Sequence, residues 1–121
     1  MKYLFGALLF STFIISCSSQ PNIEEAEAIH SRVITLDTHA DINVQNFTTD
    51  QNYTMDLNTQ VTLPKMEDGG LDVAWFIVYT GQDELNDEGF ANAYENALSK
   101  FDAIHRLTNE IAPDRIELAT T

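Results

Sequence analysis

Cysteine and basic residues are scarce in this 121-residue sequence. Cys17 is the single cysteine, so no intrachain disulfide forms. The 6 lysines and arginines stand against 19 aspartates and glutamates, and the net charge of −13 disfavours binding to nucleic acid or to an anionic membrane surface. A Ser/His/Asp set, a phosphate-binding glycine loop and a Cys–His zinc pattern are also absent from the sequence. The apolar content of 44% still indicates a globular chain, with room for one domain.

The apolar run near the N-terminus, residues 4–15, is too short for a membrane span, which needs about 20 apolar residues. It follows a basic start and ends at Ile14-Ile15-Ser16-Cys17, which resembles the lipobox of bacterial lipoproteins. We therefore expect residues 1–17 to be a lipoprotein signal peptide with Cys17 as the lipidation site, and residues 18–21 to be a tether. The protein would then be lipid-anchored in the bacterial cell envelope, facing the periplasm or the exterior. An ordinary cleaved signal with a chance cysteine is the alternative.

Helical and strand patterns alternate along residues 22–121. Asn22 is a typical N-cap, Pro64 suits the start of a short helical turn, and a Gly-Gly pair would end that turn. The apolar run at residues 71–79 predicts a strand buried on both faces, with Trp75, Phe76 and Tyr79 in the core. We predict these elements: a helix over residues 22–32, a strand over 33–36, a long polar stretch over 38–63, a helical turn over 64–67, a strand over 71–79, an amphipathic helix to about residue 110 and a third strand from 116 to 119.

The order strand, connection, strand, helix, strand is typical of parallel βα units and predicts the α/β class. Two or three parallel strands leave sheet faces and edges uncovered. We therefore expect residues 22–121 to be the opening portion of a larger α/β domain, as a fragment or a truncated gene product.

His39 and Asp41 are the candidate functional residues, because they follow the first predicted strand. Side chains at positions i and i+2 of an extended segment project from the same face. An imidazole and a carboxylate are common zinc ligands, so the two residues predict half of a metal site at the carboxyl end of a strand. Asp37 either hydrogen-bonds to a ligating histidine or ends the strand. The alternative is a turn in which Asp41 caps a nearby backbone group.

The other two histidines have structural interpretations. His30 lies in a polar helical segment, where we expect it to be solvated. His105 lies near the C-terminal end of the long predicted helix, where a cation interacts favourably with the helix dipole.

Three blocks of the sequence resemble the membrane (renal-type) dipeptidase family, the M19 metallopeptidases. Residues 33–41, VITLDTHAD, resemble the opening strand of the family and its D-x-H-x-D signature. Residues 62–76, TLPKMEDGGLDVAWF, resemble its D-L-P-R-L-R-x-G-G-V-G-A-Q-F segment, and residues 101–106, FDAIHR, resemble a helix that carries D-x-x-H-R. Ala74-Trp75 departs from the family, in which small residues and glutamine are frequent at this place.

The resemblance implies a metal-dependent (β/α)8 TIM barrel, of which this sequence would be the incomplete N-terminal part. It also implies two zinc ions at the C-terminal face of the barrel, which promote hydrolysis of dipeptides. By matching position, His39 and Asp41 would be ligands of the first zinc. The bridging glutamate, the two further histidine ligands and the substrate-gripping residues of the family have no counterpart in this sequence, so no catalytic residue is assigned. His105 is not a metal ligand in the family.

The expected function is therefore that of a zinc-dependent dipeptidase with dipeptides as substrates. The sequence does not decide between a monomer and a homodimer. With two ligands the chain should bind zinc weakly, and we expect residues 18–121 alone to be inactive. Two alternatives remain. The first is another metal-dependent amidohydrolase, against which the family-specific Leu63-Pro64 feature argues. The second is a surface-anchored, non-catalytic α/β binding domain in which His39 and Asp41 are incidental.

Overall fold

The computed structural model describes residues 22–120, so the predicted signal peptide, Cys17 and the tether lie outside the described residues. Over residues 22–120 the chain forms a mixed α/β structure with a two-stranded sheet. The elements are α1 (Ile23–His30), β1 (Leu36–Asp41), a 3-10 turn (Val44–Asn46), α2 (Leu63–Gly69), β2 (Val73–Ile77), α3 (Asp87–Arg106) and a π-helical turn (Leu107–Ile111). In this part of the chain, no helix combines the length and the apolar character that a membrane crossing requires.

The helix ends follow local sequence signals. Asn22 caps α1 by accepting a hydrogen bond from the Glu25 backbone N–H at 3.4 Å, as predicted. Asn86 caps α3 in the same way, through the Gly89 N–H at 2.9 Å. Gly70 ends α2 in the left-handed conformation, with φ of 64°, which a residue without a side chain adopts at little cost.

β1 and β2 pair in parallel, as the βα pattern predicts. Leu36 lies opposite Val73 at the start of the ladder, and Asp41 lies opposite Ile77 at its end. The predicted position of the first strand was wrong, because the chain from residue 33 to residue 35 precedes β1 instead of forming it. The register also shifts between Asp37 and Ala40, where β1 is irregular.

The core lies where the sequence predicted an irregular polar stretch. Phe47 and Tyr53 are almost completely buried, and their ring centroids are 4.8 Å apart. Phe76 of β2 packs against both rings, edge-on to Phe47 at 5.8 Å and tilted against Tyr53 at 5.2 Å. Leu107, which is fully buried, closes the cluster from the π-helical turn. The loop after β1 therefore anchors the sheet through its aromatic side chains.

Two predicted features of the sheet differ in the structure. Residues 116–119 form no strand. β2 covers only residues 73–77 and is half-buried, with Trp75 57% exposed and Tyr79 66% exposed. Phe76 reaches the core because the aromatic side chains of the loop pack against it, while the adjacent Trp75 projects from the opposite face of the strand.

Candidate metal-binding site

His39 and Asp41 lie near the carboxyl end of β1 and project from the same face of the strand, as their spacing predicts. The His39 Nε2 atom is 3.6 Å from the Asp41 Oδ1 atom. Both side chains are largely exposed, at 70% and 76% respectively, so within residues 22–120 neither is covered by other parts of the chain. The structure therefore brings together the two residues that the sequence singles out.

The separation of these two donors suits a zinc ion. Two ligand atoms that each lie about 2.1 Å from a tetrahedral zinc are about 3.4 Å apart. The 3.6 Å between His39 Nε2 and Asp41 Oδ1 is close to that value, and an imidazole with a carboxylate is a usual donor set. Across residues 22–120 no group of three or more histidine, cysteine, aspartate or glutamate side chains is arranged to hold a metal. The described part of the chain thus brings two candidate metal ligands together.

Asp37 shapes the backbone on which His39 is carried. Its Oδ1 atom accepts a hydrogen bond from the His39 backbone N–H at 2.9 Å. The bond lies within the stretch where the β1 register shifts, between Asp37 and Ala40. Asp37 therefore does hydrogen-bond to the candidate ligand, but through the main chain instead of the imidazole, and β1 continues beyond it.

The other histidines lie elsewhere. His30 is exposed, as predicted, and its Nε2 atom lies 3.1 Å from the Gly69 carbonyl oxygen with the ring close to Gly70. His105 lines a groove of about 560 Å³ beside β2 and α3. Within the described chain neither His39 nor Asp41 lines that groove, so it is separate from the candidate metal site.

A carboxyl with a shifted pKa lies at the opposite end of the sheet. Asp72 immediately precedes β2, and the pKa of its carboxyl is lowered chiefly by a hydrogen bond from the Thr35 backbone N–H. The Thr35 hydroxyl lowers that pKa further, and His30 adds a favourable charge interaction. The sequence contained no signal for this contact, because it joins residues that are far apart along the chain.

The described residues form an α/β structure in which a histidine and an aspartate lie side by side at the carboxyl end of a parallel strand. The family model for membrane dipeptidases, peptidase family M19, matches residues 23–121. The chain therefore belongs to the membrane dipeptidase family, which confirms the resemblance seen in the sequence. Members of the family are hydrolases of the metallopeptidase type that act on dipeptides and are generally zinc-dependent. Neither the curated proteins nor the solved structures include a match to this chain.

Proposed function

We propose that this chain supplies two zinc ligands, His39 and Asp41, to a metallopeptidase centre that hydrolyses dipeptides. One observation supports the proposal above all: the two donor atoms are 3.6 Å apart on an exposed strand face of a chain that belongs to the membrane dipeptidase family. The family makes peptide-bond hydrolysis the expected reaction, and the donor geometry supports a direct role for these two residues.

Each residue has a defined task in this proposal. His39 binds as a neutral imidazole, with the lone pair on Nε2 directed to the metal and the proton on Nδ1. Asp41 binds as a carboxylate and offsets part of the metal charge. Asp37 holds the His39 backbone, so that the imidazole does not depend on the strand ladder alone. A zinc ion held there would lower the pKa of bound water and polarise the scissile carbonyl.

We also propose that the complete catalytic fold is a (β/α)8 barrel. The described part supports this with a parallel β1–β2 pair, and a long helix, α3, follows β2. In such barrels the active site lies at the carboxyl ends of the strands, which is where β1 carries His39 and Asp41.

The cellular location is a proposal from the sequence. Cys17 follows an apolar run and would anchor the chain to a membrane of the bacterial envelope through lipid. Cell fractionation of a Cys17→Ser variant tests it. We expect the variant to leave the membrane fraction, and a variant that stays membrane-bound would contradict lipid anchoring at this residue.

Zinc titration of the full chain tests the metal role, with a chromophoric chelator as competitor. We expect weak binding, because the described residues supply two donors where stable sites use three or four. His39→Ala and Asp41→Asn should each abolish the binding. His105→Ala is the matched control, because it also removes an exposed histidine but lies away from β1. Equal zinc affinity in His39→Ala and His105→Ala would contradict the assignment.

A dipeptide assay of the same chain tests the catalytic step. We expect no zinc-dependent turnover from this chain by itself, because two ligands neither retain zinc well nor position a substrate. Turnover that depends on added zinc and is lost in His39→Ala would show that the chain is sufficient for catalysis and would overturn the expectation of inactivity.

A further inference from the structure

Thr35 and Asp72 form a dense polar contact at the end of the sheet opposite His39 and Asp41. Thr35 immediately precedes β1, and Asp72 immediately precedes β2. The Thr35 backbone N–H donates to Asp72 Oδ2 at 2.8 Å, and the Asp72 backbone N–H donates to the Thr35 hydroxyl oxygen at 2.9 Å. Each residue therefore holds the main chain of the other through its side chain.

The Thr35 hydroxyl adds a third connection. Its oxygen is 2.6 Å from the Gly70 carbonyl oxygen and 3.1 Å from Asp72 Oδ2. A hydroxyl has one hydrogen, so it donates best to one acceptor at a time, and the shorter distance favours Gly70. The Asp72 carboxylate keeps the Thr35 N–H in either case. The contact thus joins the start of β1 to both the end of α2 and the start of β2.

Gly70 presents its carbonyl to Thr35 because of its backbone conformation. Its φ of 64° ends α2 and turns the chain towards β2. The His30 ring lies so close that a Cβ on Gly70 would be 2.6 Å from His30 Nε2. A side chain at this position would be strained by the positive φ and would require the His30 ring to move.

The position of the contact gives it control over strand register. Leu36 and Val73, the first pair of the ladder, directly follow Thr35 and Asp72. A parallel pair of two strands is marginally stable by itself, and a slip of one residue turns every side chain of a strand to the opposite face. The side chains of Thr35 and Asp72 can make their mutual bonds only when these two residues are adjacent, so their bonding selects one register.

We propose that Thr35 and Asp72 are positioning residues, which set the register of the first ladder pairs, Leu36 opposite Val73 and Asp37 opposite Ala74, and thereby fix where the irregular stretch that carries His39 begins. This inference rests on the proposed function for its consequence at the metal. The register itself can be measured without metal, because in the correct register Leu36 lies opposite Val73.

A matched pair of substitutions at Thr35 in the full chain tests the inference. Thr35→Val keeps the branched shape that suits a strand but removes the hydroxyl, and Thr35→Ser keeps the hydroxyl. In metal-free protein we expect nuclear Overhauser contacts between the backbones of Leu36 and Val73 in the wild type and in Thr35→Ser. In Thr35→Val we expect these contacts to weaken and the exchange of β1 amides to accelerate.

Zinc affinity is the second readout. We expect Thr35→Val to weaken zinc binding on the order of 10-fold, as for loss of a group that orients a ligand from outside the metal shell. Thr35→Ser should restore the affinity. A merely structural role would lower stability in Thr35→Val but leave the affinity of the folded fraction unchanged. If Thr35→Val fails to fold, Asp72→Ala replaces it with the same expected losses, because it removes the acceptor of the Thr35 N–H. Asp72→Asn is then the control, because its amide oxygen still accepts from Thr35.

The two proposals fail in different ways. If the wild type binds no zinc, the proposed metal role fails, and the contacts between Leu36 and Val73 still decide the register inference. If the wild type binds zinc and Thr35→Val keeps both the contacts and the affinity of Thr35→Ser, the inference is overturned while the metal role stands.

Discussion

The polar side chains at the two ends of the parallel strand pair differ in their hydrogen bonding. At the amino end, Thr35 and Asp72 bond to each other through side chain and main chain. At the carboxyl end, His39 and Asp41 face each other at 3.6 Å, with both side chains largely exposed. The Asp72 Oδ2 atom and the Thr35 hydroxyl already have partners within the chain and have less capacity left for a ligand, whereas the side chains of His39 and Asp41 retain it. Under the two proposals, one end of the sheet aligns the strands and the other carries the metal ligands.

The largest expected effect is on the support that both ends share. Phe47 is fully buried, and its ring packs on Phe76 of β2. We expect Phe47→Ala to lower the free energy of unfolding by about 3–5 kcal/mol, because it removes a large side chain and leaves a cavity. Chemical denaturation followed by circular dichroism measures this change.

Leu85→Ala is the control for that substitution, since Leu85 is 80% exposed. Equal destabilisation by Phe47→Ala and Leu85→Ala would show that the aromatic cluster does not support the sheet. A loss of structure in Phe47→Ala that is confined to the region of His39 and Asp41 would show that the two ends of the strand pair are stabilised separately.

The next effect concerns only the carboxyl end of the strand pair, where His39 and Asp41 lie. Asp37→Ala removes the acceptor that holds the His39 backbone N–H, and we expect zinc affinity to fall on the order of 10-fold. Asp37→Asn keeps an acceptor oxygen and should bind zinc more tightly than Asp37→Ala. Competition titration measures both. Equal affinities in the two variants would mean that the backbone bond does not position His39.

The stability contributed by the amino end of the strand pair, where Thr35 and Asp72 lie, should depend on pH. The pKa of Asp72 is lowered in the folded chain, first by the Thr35 N–H and then by the Thr35 hydroxyl. The ionised carboxyl therefore adds stability at pH values above its ordinary pKa, and this contribution is lost as the pH falls through the lowered pKa of the folded state. We expect the wild type to be more stable than Asp72→Asn near neutral pH and the difference to shrink below about pH 4.

Denaturation midpoints of both chains between neutral and acid pH measure this trend. The Asp72 carboxyl signal in carbon NMR gives its titration directly. A difference that stays constant, or that grows on acidification, would show that the carboxylate does not stabilise the amino end.

The smallest expected effect lies away from both ends. Thr62 is completely buried and precedes α2, and within residues 22–120 its hydroxyl has no hydrogen-bond partner. Thr62→Val should raise the free energy of unfolding by about 1 kcal/mol, because it removes an unsatisfied polar atom from the interior. Thr59→Val is the control, since the Thr59 hydroxyl donates to the Val61 carbonyl at 3.1 Å. Thr59→Val should be destabilising, and a loss of stability in Thr62→Val as well would contradict the explanation.

Helix ends and the candidate ligand pair were predictable from the sequence, because the physics that sets them is local. Asn22 at the start of α1 and Gly70 at the end of α2 act through their own backbone and the next turn. His39 and Asp41 share a face because alternate residues do so in any extended segment. Their approach to 3.6 Å occurs where the register of β1 shifts, which the spacing alone does not predict.

Strand limits, burial and the contact between Thr35 and Asp72 were decided by the tertiary structure alone. Trp75 and Phe76 look equally apolar in the sequence, yet only Phe76 meets the aromatic side chains that the loop after β1 brings to it. Residues 116–119 have the composition of a strand but form none, because a strand exists only where a partner supplies hydrogen bonds. Contacts between distant parts of the chain depend on the register and packing of the whole, which no local pattern encodes.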